Sequence, residues 1–434
     1  MEKSVVLSDG DKLKRIRRKY VLKQEEITGK EITRNLISEI ETNKASITKK
    51  TAEIIIKNLK EIGKKRNFEV TETVDYLMEN QLVQATKVLD NYINELEALS
   101  ISKDNSFIKT LKDAESFLID WDIKDKKLRI YELAGDYFCN NNEMYESAIY
   151  YEKASALVSR IFLDNKLLPI LRKLSVVYIY TAKYNSSLDS CNFALDYFKD
   201  MSNNEKAVFL HNRALSYRAL KNYDLALQDI RTLENMANEL DKQKYFEVLN
   251  LKAICLKSKN DLENALTVYN SMINFLDDND FEKKIIVYIN IAEAYMERND
   301  DKLNEEFNNV KELLFKINNN YEYITDIYFE VAKIYKYLKN TSKAEEYYMK
   351  ALKSAKLKHE CVLESDTLCA LIDIYSELDD AESIGKLKIE FFNLSNNQLA
   401  INNIILCKLI NFYNKKFSTE EIKEISNFVL QFNM

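Results

Sequence analysis

The stretch that decides the fold lies at residues 325–358 and reads TDIYFEVAKIYKYLKNTSKAEEYYMKALKSAKLK. Its first half places Tyr328, Ala332 and Tyr335 at intervals that bring them to one face of a helix. Its second half, after a polar turn, repeats that spacing at Ala344, Tyr348 and Ala351. Small alanines let two antiparallel helices approach closely, while the tyrosines fill the space beside them. The stretch therefore predicts a helical hairpin.

The same phase recurs along most of the chain, and it resembles the tetratricopeptide repeat. The marker is the small residue that opens the second helix of each hairpin, found at Ser147, Ser187, Ala226, Ala265 and Ala344. A large residue stands nine positions before each marker, at Phe138, Tyr178, Tyr217, Leu256 and Tyr335. Weaker matches fall at Glu305 or Glu306 and at Ile384. The strong markers lie 39 or 40 residues apart, or 79 residues for two steps.

A hairpin of this kind cannot bury its apolar face alone, so neighbouring hairpins must stack on it. The resemblance implies an all-α chain whose residues 67–434 form a right-handed tetratricopeptide-like α-solenoid. Composition agrees, because five glycines and one proline leave few of the turns that strands require.

Composition also argues against several classes of protein. No run of ~18 apolar residues is present, so we expect no membrane partner. The N-terminus lacks a signal-peptide core, and the six cysteines are scattered, as expected of reduced residues in a cytoplasmic protein. The two histidines, His211 and His359, stand outside any HExxH, CxxC, GxSxG or Gly-rich phosphate motif. We expect no enzyme activity, no catalytic residues, no metal and no cofactor.

Charge is unevenly distributed. Residues 1–66 hold 18 Lys and Arg against 10 Asp and Glu, a net charge of +8. Residues 67–434 hold 45 Lys and Arg against 59 Asp and Glu, a net charge of −14. A basic head on an acidic body indicates that the head meets a polyanion and the body does not.

Four helices are predicted in this head, at about residues 8–20, 23–29, 34–41 and 49–62. Ser8 or Asp9 begins the first helix, and Thr33 is suited to cap the third. Gly63 is expected to end the fourth helix.

This succession resembles the phage-repressor-type helix-turn-helix of the XRE or Cro family. The resemblance rests on Leu13, Ile16 and Arg17, then on the segment Gln24–Ile27, then on Leu36–Glu41. It implies that residues 1–66 bind DNA and that the third helix, with Thr33 at its start, enters the major groove. Base readers would then be Arg34, Asn35 and Ser38, with Leu36 against a thymine methyl group. Phosphate contacts would come from Gln24, Lys44 and Lys49.

The segment that follows the head is less regular. Tyr76, Ala85 and Leu89 fit the repeat template, so one hairpin is expected over about residues 68–98. A helix is predicted over residues 106–120, but the repeat period assigns it no partner helix. Counting back 40 residues from Ser147 gives a position inside this helix and not the start of a second helix. The apolar spacing over about residues 399–432 predicts a final hairpin that caps the stack or supplies a dimer surface.

The first helix of each hairpin lines the inner face of such a solenoid. Asn212, Asn250 and Asn290 fall on or beside that face in successive repeats, and a ladder of amides can hold an extended peptide backbone. The remaining predicted peptide-binding residues share the same template positions: Arg172, His211, Arg218, Lys257, Glu293, Phe329, Lys333, Lys336 and Tyr337.

An XRE-type head on a tetratricopeptide-like array is similar to the peptide-pheromone-responsive regulators of Gram-positive bacteria, the RRNPP group of the PlcR, PrgX and Rgg type. The resemblance implies a cytoplasmic homodimer that binds operator DNA under control of a short imported signalling peptide in a quorum-sensing system. Two alternatives stay open from the sequence. One is a phage arbitrium-type regulator, and the other is a scaffold that holds another protein.

Overall fold

The computed structural model describes residues 5–160, 164–236, 240–398 and 400–432. Within these ranges the chain is helical and contains no strand, so the predicted all-α fold class is confirmed. No helix in the described part is both long and apolar enough to span a bilayer. The chain divides into two compact units, residues 1–183 and residues 184–434.

The first unit contains the predicted head and the beginning of the array. Its helices are α1 (Asp9–Lys19), α2 (Gln24–Ile27), α3 (Arg34–Glu41), α4 (Lys49–Arg66), α5 (Val74–Met78), α6 (Gln81–Ser102), α7 (Ser106–Asp120), α8 (Lys124–Asn140), α9 (Met144–Leu157) and α10 (Leu167–Tyr180).

The second unit consists of further helices. Its helices are α11 (Tyr184–Tyr197), α12 (Asn203–Ala219), α13 (Tyr223–Asn235), α14 (Lys242–Ser258), α15 (Leu262–Phe275), α16 (Phe281–Arg298), α17 (Leu303–Leu314), α18 (Ile324–Tyr337), α19 (Thr341–Lys358), α20 (Cys361–Glu377), α21 (Ala381–Gln398), α22 (Asn403–Lys415) and α23 (Thr419–Phe432).

The repeat period is visible in the backbone itself. A residue in the left-handed conformation follows the first helix of each hairpin, at Asn142, Ala182, Lys221, Asn260, Asn299, Lys339, Asp379 and Phe417. The backbone N–H of the residue after it donates a hydrogen bond back to the carbonyl oxygen of a large residue in the first helix. The Asn340 N–H, for example, donates to the Tyr335 carbonyl oxygen at 2.9 Å. This closure is the Schellman arrangement, which satisfies carbonyls at a helix end. The less regular repeat at α16 and α17 keeps the same period.

The marker residues lie where the helices of a hairpin meet. The five strong markers are fully buried, at Ser147, Ser187, Ala226, Ala265 and Ala344. Where the marker is Ser147, its hydroxyl donates to the Gly135 carbonyl oxygen of the facing helix at 2.9 Å. Ile384 is also fully buried, which supports the weaker match there.

The match at Glu305 or Glu306 is wrong as a packing position. Glu305 is exposed and Glu306 half-buried, whereas Leu303 of the same helix is buried. A carboxylate cannot be left in an apolar contact without a partner, so α17 packs through Leu303 and Phe307 instead.

The head helices match the predicted ones closely, with one correction. Ser8 caps α1 and Thr33 caps α3, as the sequence predicts. Gly63, however, does not end α4, which continues to Arg66 and closes at Asn67 in the left-handed conformation. A Cβ on Gly63 would lie 2.6 Å from the Phe68 carbonyl oxygen, so the glycine permits the returning chain to pack against the helix.

The expected hairpin over residues 68–98 is also wrong. One continuous helix, α6, covers residues 81–102, and the short α5 precedes it. Helix α6 packs against α7 and α8, which supplies the partner that residues 106–120 lacked in the sequence pattern. Phe107 of α7 stacks on Tyr137 of α8, with ring centroids 3.9 Å apart.

A buried lysine joins α1 to the segment after α4. Lys12 is fully buried, and its ammonium donates to the carbonyl oxygens of Leu77 at 2.7 Å, Glu79 at 2.6 Å and Tyr76 at 3.3 Å. The boundary at residue 66 stays a prediction. The contact shows that α1 is fixed to α5 within the first unit.

The predicted final hairpin is present as α22 and α23, which pack against each other. Ile405, Leu409 and Phe412 of α22 are buried, as is Ile425 of α23.

Candidate functional site

The candidate DNA-reading residues begin α3. The Thr33 hydroxyl accepts a hydrogen bond from the Leu36 N–H at 3.3 Å, which fixes the helix start. Thr33, Arg34 and Asn35 are exposed. Within the described residues, neither Arg34 nor Asn35 has an ion pair or a side-chain hydrogen bond. Their guanidinium and amide groups therefore face solvent at the helix N-terminus.

The other predicted contacts lie around this helix. Ser38 is half-buried, and Leu36 is half-buried against the head core. Lys44 lies in the loop after α3 and Lys49 opens α4, and both are exposed. The opposite side of α3 is held in the core by Ile37 and Ile40, each fully buried.

An ion pair in the head orients α3. The Glu41 carboxylate, 8% exposed, accepts from Arg17 at 2.6 Å (Nε to Oε1) and 3.0 Å (Nη2 to Oε2). Arg17 Nη1 also donates to the Leu22 carbonyl oxygen at 3.0 Å. Burial opposes ionisation of Glu41, but the Arg17 hydrogen bond and a second one from Gln24 outweigh it and lower its pKa.

Gln24 has a different immediate role from the predicted one. Its Nε2 donates to Glu41 Oε2 at 2.8 Å, which links α2 to α3. An amide has two donor hydrogens, so one is left for a phosphate oxygen.

In the second unit, helices α12, α14, α16 and α18 are first helices of successive hairpins, and each contacts the next. We call their side that carries the predicted ligand residues the inner face. Asn290 Nδ2 on α16 donates to Asn250 Oδ1 on α14 at 3.3 Å. Two of the three predicted amides are thus brought together, and each keeps further donor or acceptor capacity.

Asn212 and His211 lie one helix away on α12. The Asn212 side chain is buried, with 6% exposure, and it hydrogen bonds the imidazole of His211. Burial lowers the pKa of His211, Glu247 opposes the shift, and the nearby Arg218 guanidinium adds to it. A neutral imidazole next to an amide is a polar, uncharged contact surface.

A charged cluster spans α14, α16 and α18 on the same face. Glu293 accepts from Lys257 at 2.7 Å and from Lys333 at 3.0 Å. Lys333 also pairs with Glu330, and the two carboxyl groups are hydrogen bonded to each other. Two carboxyls in direct contact share a proton because like charges cannot both ionise there.

The pKa values of the two carboxyl groups, Glu293 and Glu330, are shifted in opposite directions. Burial and the adjacent Glu293 carboxylate raise the pKa of Glu330. Burial acts against Glu293 as well, but the Glu330 hydrogen bond and the ammonium groups of Lys257 and Lys333 lower its pKa. At neutral pH the cluster therefore holds one carboxylate, one carboxylic acid and two ammonium groups.

Most cations predicted to receive a ligand are thus already paired. Lys257 and Lys333 bind Glu293, and Lys336 lies 3.5 Å from the Glu377 carboxylate. Arg218 is different, because no ion pair or hydrogen bond of its guanidinium occurs among the described residues.

The predicted aromatic residues lie at the α18 end of the inner face. Phe329 is half-buried and packs edge-on to Tyr348, with ring centroids 5.5 Å apart. Tyr337 is 41% exposed, and its hydroxyl donates to Asn299 Oδ1 at 2.6 Å. Arg172, the remaining predicted residue, is exposed on α10 of the first unit.

Sequence reasoning missed Glu330, which completes the charged cluster. A signal was available, since Glu330 precedes Lys333 by three positions and so lies on the same side of the helix. It also missed Tyr269 of α15, which is fully buried with an unpartnered hydroxyl. No sequence pattern distinguishes an unpartnered tyrosine from one that is paired.

Comparison with known proteins supports the repeat. The tetratricopeptide repeat family model matches residues 325–356, the hairpin of α18 and α19. Over 156 residues the chain is 28% identical to a RING finger protein of Plasmodium falciparum, a match that covers 35% of this chain and 11% of that protein.

Several solved structures show a distant likeness to the chain. A tetratricopeptide repeat protein from Parabacteroides merdae has 18% identity and a TM-score of 0.49, covering 64% of this chain and 98% of that chain. The apo quorum sensor NprR of B. thuringiensis has 14% identity and a TM-score of 0.45, covering 80% and 99%. NprR bound to its cognate peptide NprX has 12% identity and a TM-score of 0.45, covering 81% and 94%.

Proposed function

We propose that this protein is a DNA-binding transcriptional regulator controlled by a short signalling peptide, acting as a cytoplasmic homodimer and not as an enzyme. The observation that carries the proposal is the exposed pair Arg34 and Asn35 at the start of α3. An Arg reads guanine and an Asn reads adenine through paired hydrogen bonds in the major groove. The Arg17–Glu41 ion pair holds α3 in place beneath them.

The peptide belongs on the inner face of the second unit. The Asn250 and Asn290 amides supply donors and acceptors for an extended backbone, as the main chain of a strand would. At neutral pH the cluster around Glu293 holds two ammonium groups against one carboxylate and one carboxylic acid, so it disfavours a cationic ligand.

Control follows from a population shift. The two heads of a dimer must match half-sites about 34–36 Å apart. A peptide that prefers one arrangement of the protein moves the heads into or out of that spacing, by no more than its difference in affinity for the two arrangements.

The direct test uses the full-length chain and a fluorescent random-sequence 30-base-pair duplex. At about 50 mM salt we expect binding that weakens steeply towards 200 mM, because phosphate contacts release counterions. Arg34→Ala with Asn35→Ala removes base contacts, while Arg231→Ala, on the exposed side of α13, serves as control. If the wild-type chain does not bind the duplex at low salt, the result contradicts the proposal and favours a scaffold that holds another protein.

The peptide half is tested by calorimetry with a synthetic pool of short peptides. Asn250→Ala with Asn212→Ala should weaken binding, whereas Asn264→Ala, exposed on α15, should not. Equal affinity in wild type and double variant removes these amides from the site. A phage arbitrium-type regulator would behave in the same way in this experiment. The genes that neighbour this one would distinguish it from a quorum-sensing regulator.

A further inference from the structure

A cavity of about 500 Å³ in the first unit is lined by side chains of α6, α8, α9 and α10. We call it the α8 cavity, because α8 supplies half of its lining residues. The lining residues are Glu97, Ser100, Ile101, Arg129, Leu133, Asp136, Cys139, Asn140, Tyr151 and Lys173. Sites for small molecules in proteins enclose about 300–1,000 Å³, so the space is sufficient for one.

The lining of the α8 cavity has an apolar middle. Four lining residues recur along one side of α8 at spacings of four, three and four positions, namely Arg129, Leu133, Asp136 and Asn140. This row extends over about 16 Å. Leu133, within the row, is buried, whereas Ile101 of α6 is 86% exposed. An apolar group of a ligand in the cavity would remove the isoleucine surface from water, which is favourable.

Two ion pairs contribute to the same lining. Arg129 Nη2 donates to Glu97 Oε1 at 2.6 Å, and both side chains stay exposed, at 45% and 41%. The Lys173 ammonium lies 2.6 Å from Asp136 Oδ1, and the Tyr151 hydroxyl donates to the same oxygen at 2.6 Å. Two cations and two carboxylates thus line the cavity, and their charges cancel.

The paired charges determine which ligand suits the α8 cavity. A simple anion next to Arg129 or Lys173 would also approach the carboxylate beside it, and a simple cation would meet the converse repulsion. A molecule with both charges can place each one beside its opposite. Among the described residues, Arg129 uses one of its five N–H donors, and the side chains of Ser100 and Asn140 have no hydrogen-bond partner. Polar capacity for such a molecule is therefore present.

We infer that the α8 cavity binds a small zwitterion with an apolar side chain, a free amino acid or a dipeptide. Its carboxylate binds Arg129 and its ammonium group binds Asp136, while its side chain packs on Leu133 and Ile101. The step from Arg129 to Asp136 is about 10 Å along α8. Hydrogen bonds of about 2.9 Å at both ends leave about 4–5 Å between the charged groups of the ligand, which is more than one extended residue and less than two.

Cys139 provides a reporter inside the cavity. Its thiol is half-buried and free, as is the thiol of Cys369 in the second unit. The experiment measures by mass spectrometry how fast iodoacetamide alkylates each thiol of the full-length chain during a titration with glycyl-L-leucine. We expect the dipeptide to slow alkylation of Cys139 severalfold and to leave Cys369 unchanged. No protection of Cys139, or equal protection of both thiols, would overturn the inference.

Three analogues with the same side chain separate charge from length. L-leucine is the shorter zwitterion, N-acetyl-L-leucine lacks the ammonium group and L-leucinamide lacks the carboxylate. The zwitterion that protects Cys139 at the lower concentration identifies the preferred length. Each singly charged analogue should need about tenfold more or greater, because it loses a charge-assisted hydrogen bond. A singly charged analogue that protects as well as the zwitterions would contradict the need for both charges and overturn the inference.

Two variants test where the ligand binds. Arg129→Gln should raise the protecting concentration of the dipeptide by about tenfold. Ser100→Phe keeps every charged residue but fills part of the cavity, so protection of Cys139 should be lost. Lys124→Gln, exposed on α8 outside the cavity, is the matched control and should behave as wild type. Undiminished protection in both cavity variants would overturn the inference. These results do not depend on DNA or on the peptide pool, so the proposed function and the α8 cavity can fail separately.

Discussion

Replacing Lys12 with methionine tests how the head is attached to the helices that follow it. The side chain keeps its length and loses its ammonium group, which donates to the carbonyl oxygens of Tyr76, Leu77 and Glu79. The Glu79 oxygen retains the Gln84 amide at 3.1 Å, so two carbonyls lose their partner. A buried polar group left unpaired costs about 1–3 kcal/mol, and removing the desolvated charge recovers part of that.

We therefore expect Lys12→Met to lower the free energy of unfolding of the first unit by about 2–4 kcal/mol. Urea unfolding can be followed by the single tryptophan, Trp121, which lies in this unit at the end of α7. Lys60→Met, an exposed lysine on α4, is the matched control and should change the free energy of unfolding by less than about 0.5 kcal/mol. If Lys12→Met also stays within about 0.5 kcal/mol of wild type, the buried ammonium does not hold the head to α5.

Three further predictions concern single groups. Because the pKa of Glu41 is lowered in the folded state, its contribution to head stability should be lost as the pH falls below the ordinary value of 4.5. Glu41→Gln should therefore reduce the pH dependence of the urea unfolding midpoint between about pH 3 and pH 7. Glu330 has its pKa raised to about 8, so its contribution should be present below pH 4.5 and lost as the pH rises towards 8. Glu330→Gln should abolish that loss in thermal melts, and a wild type with no such slope would contradict the shared proton. Val21, 85% exposed with φ of 53°, is a β-branched residue in left-handed backbone, so Val21→Gly should raise the free energy of unfolding by about 1 kcal/mol, and a destabilised variant would contradict the strain.

The hairpin array was predictable because its spacing is a packing requirement that repeats. Ala226, Ala265 and Ala344 are the residues that let paired helices touch, and their burial is complete. The head was predictable for a similar reason, since Thr33 can satisfy the first N–H groups of α3 at a place where the apolar pattern begins.

The failures have equally local causes. Residues 81–102 contain neither Gly nor Pro, so nothing interrupts the helix that the repeat template would have divided in two. Gly63 lies inside α4 because the returning chain at Phe68 needs the space, a tertiary contact that the local sequence does not encode.

The charged cluster was hidden for another reason. Lys257, Glu293 and Lys333 all appeared in the predicted ligand set, but their pairing depends on how neighbouring helices are aligned across a step of 36 to 40 residues. The sequence placed them on one face without showing that they neutralise one another. Arg218 became distinct only once those pairs were known.

The most direct test of the account selects operator DNA with the full-length protein from a random duplex pool, in parallel with Arg34→Ala combined with Asn35→Ala. The account predicts that wild type enriches a symmetric motif whose half-sites lie about one helical turn apart, and that the double variant loses the enrichment but keeps weak, salt-sensitive binding. Recovery of the same unenriched pool by both proteins would contradict it.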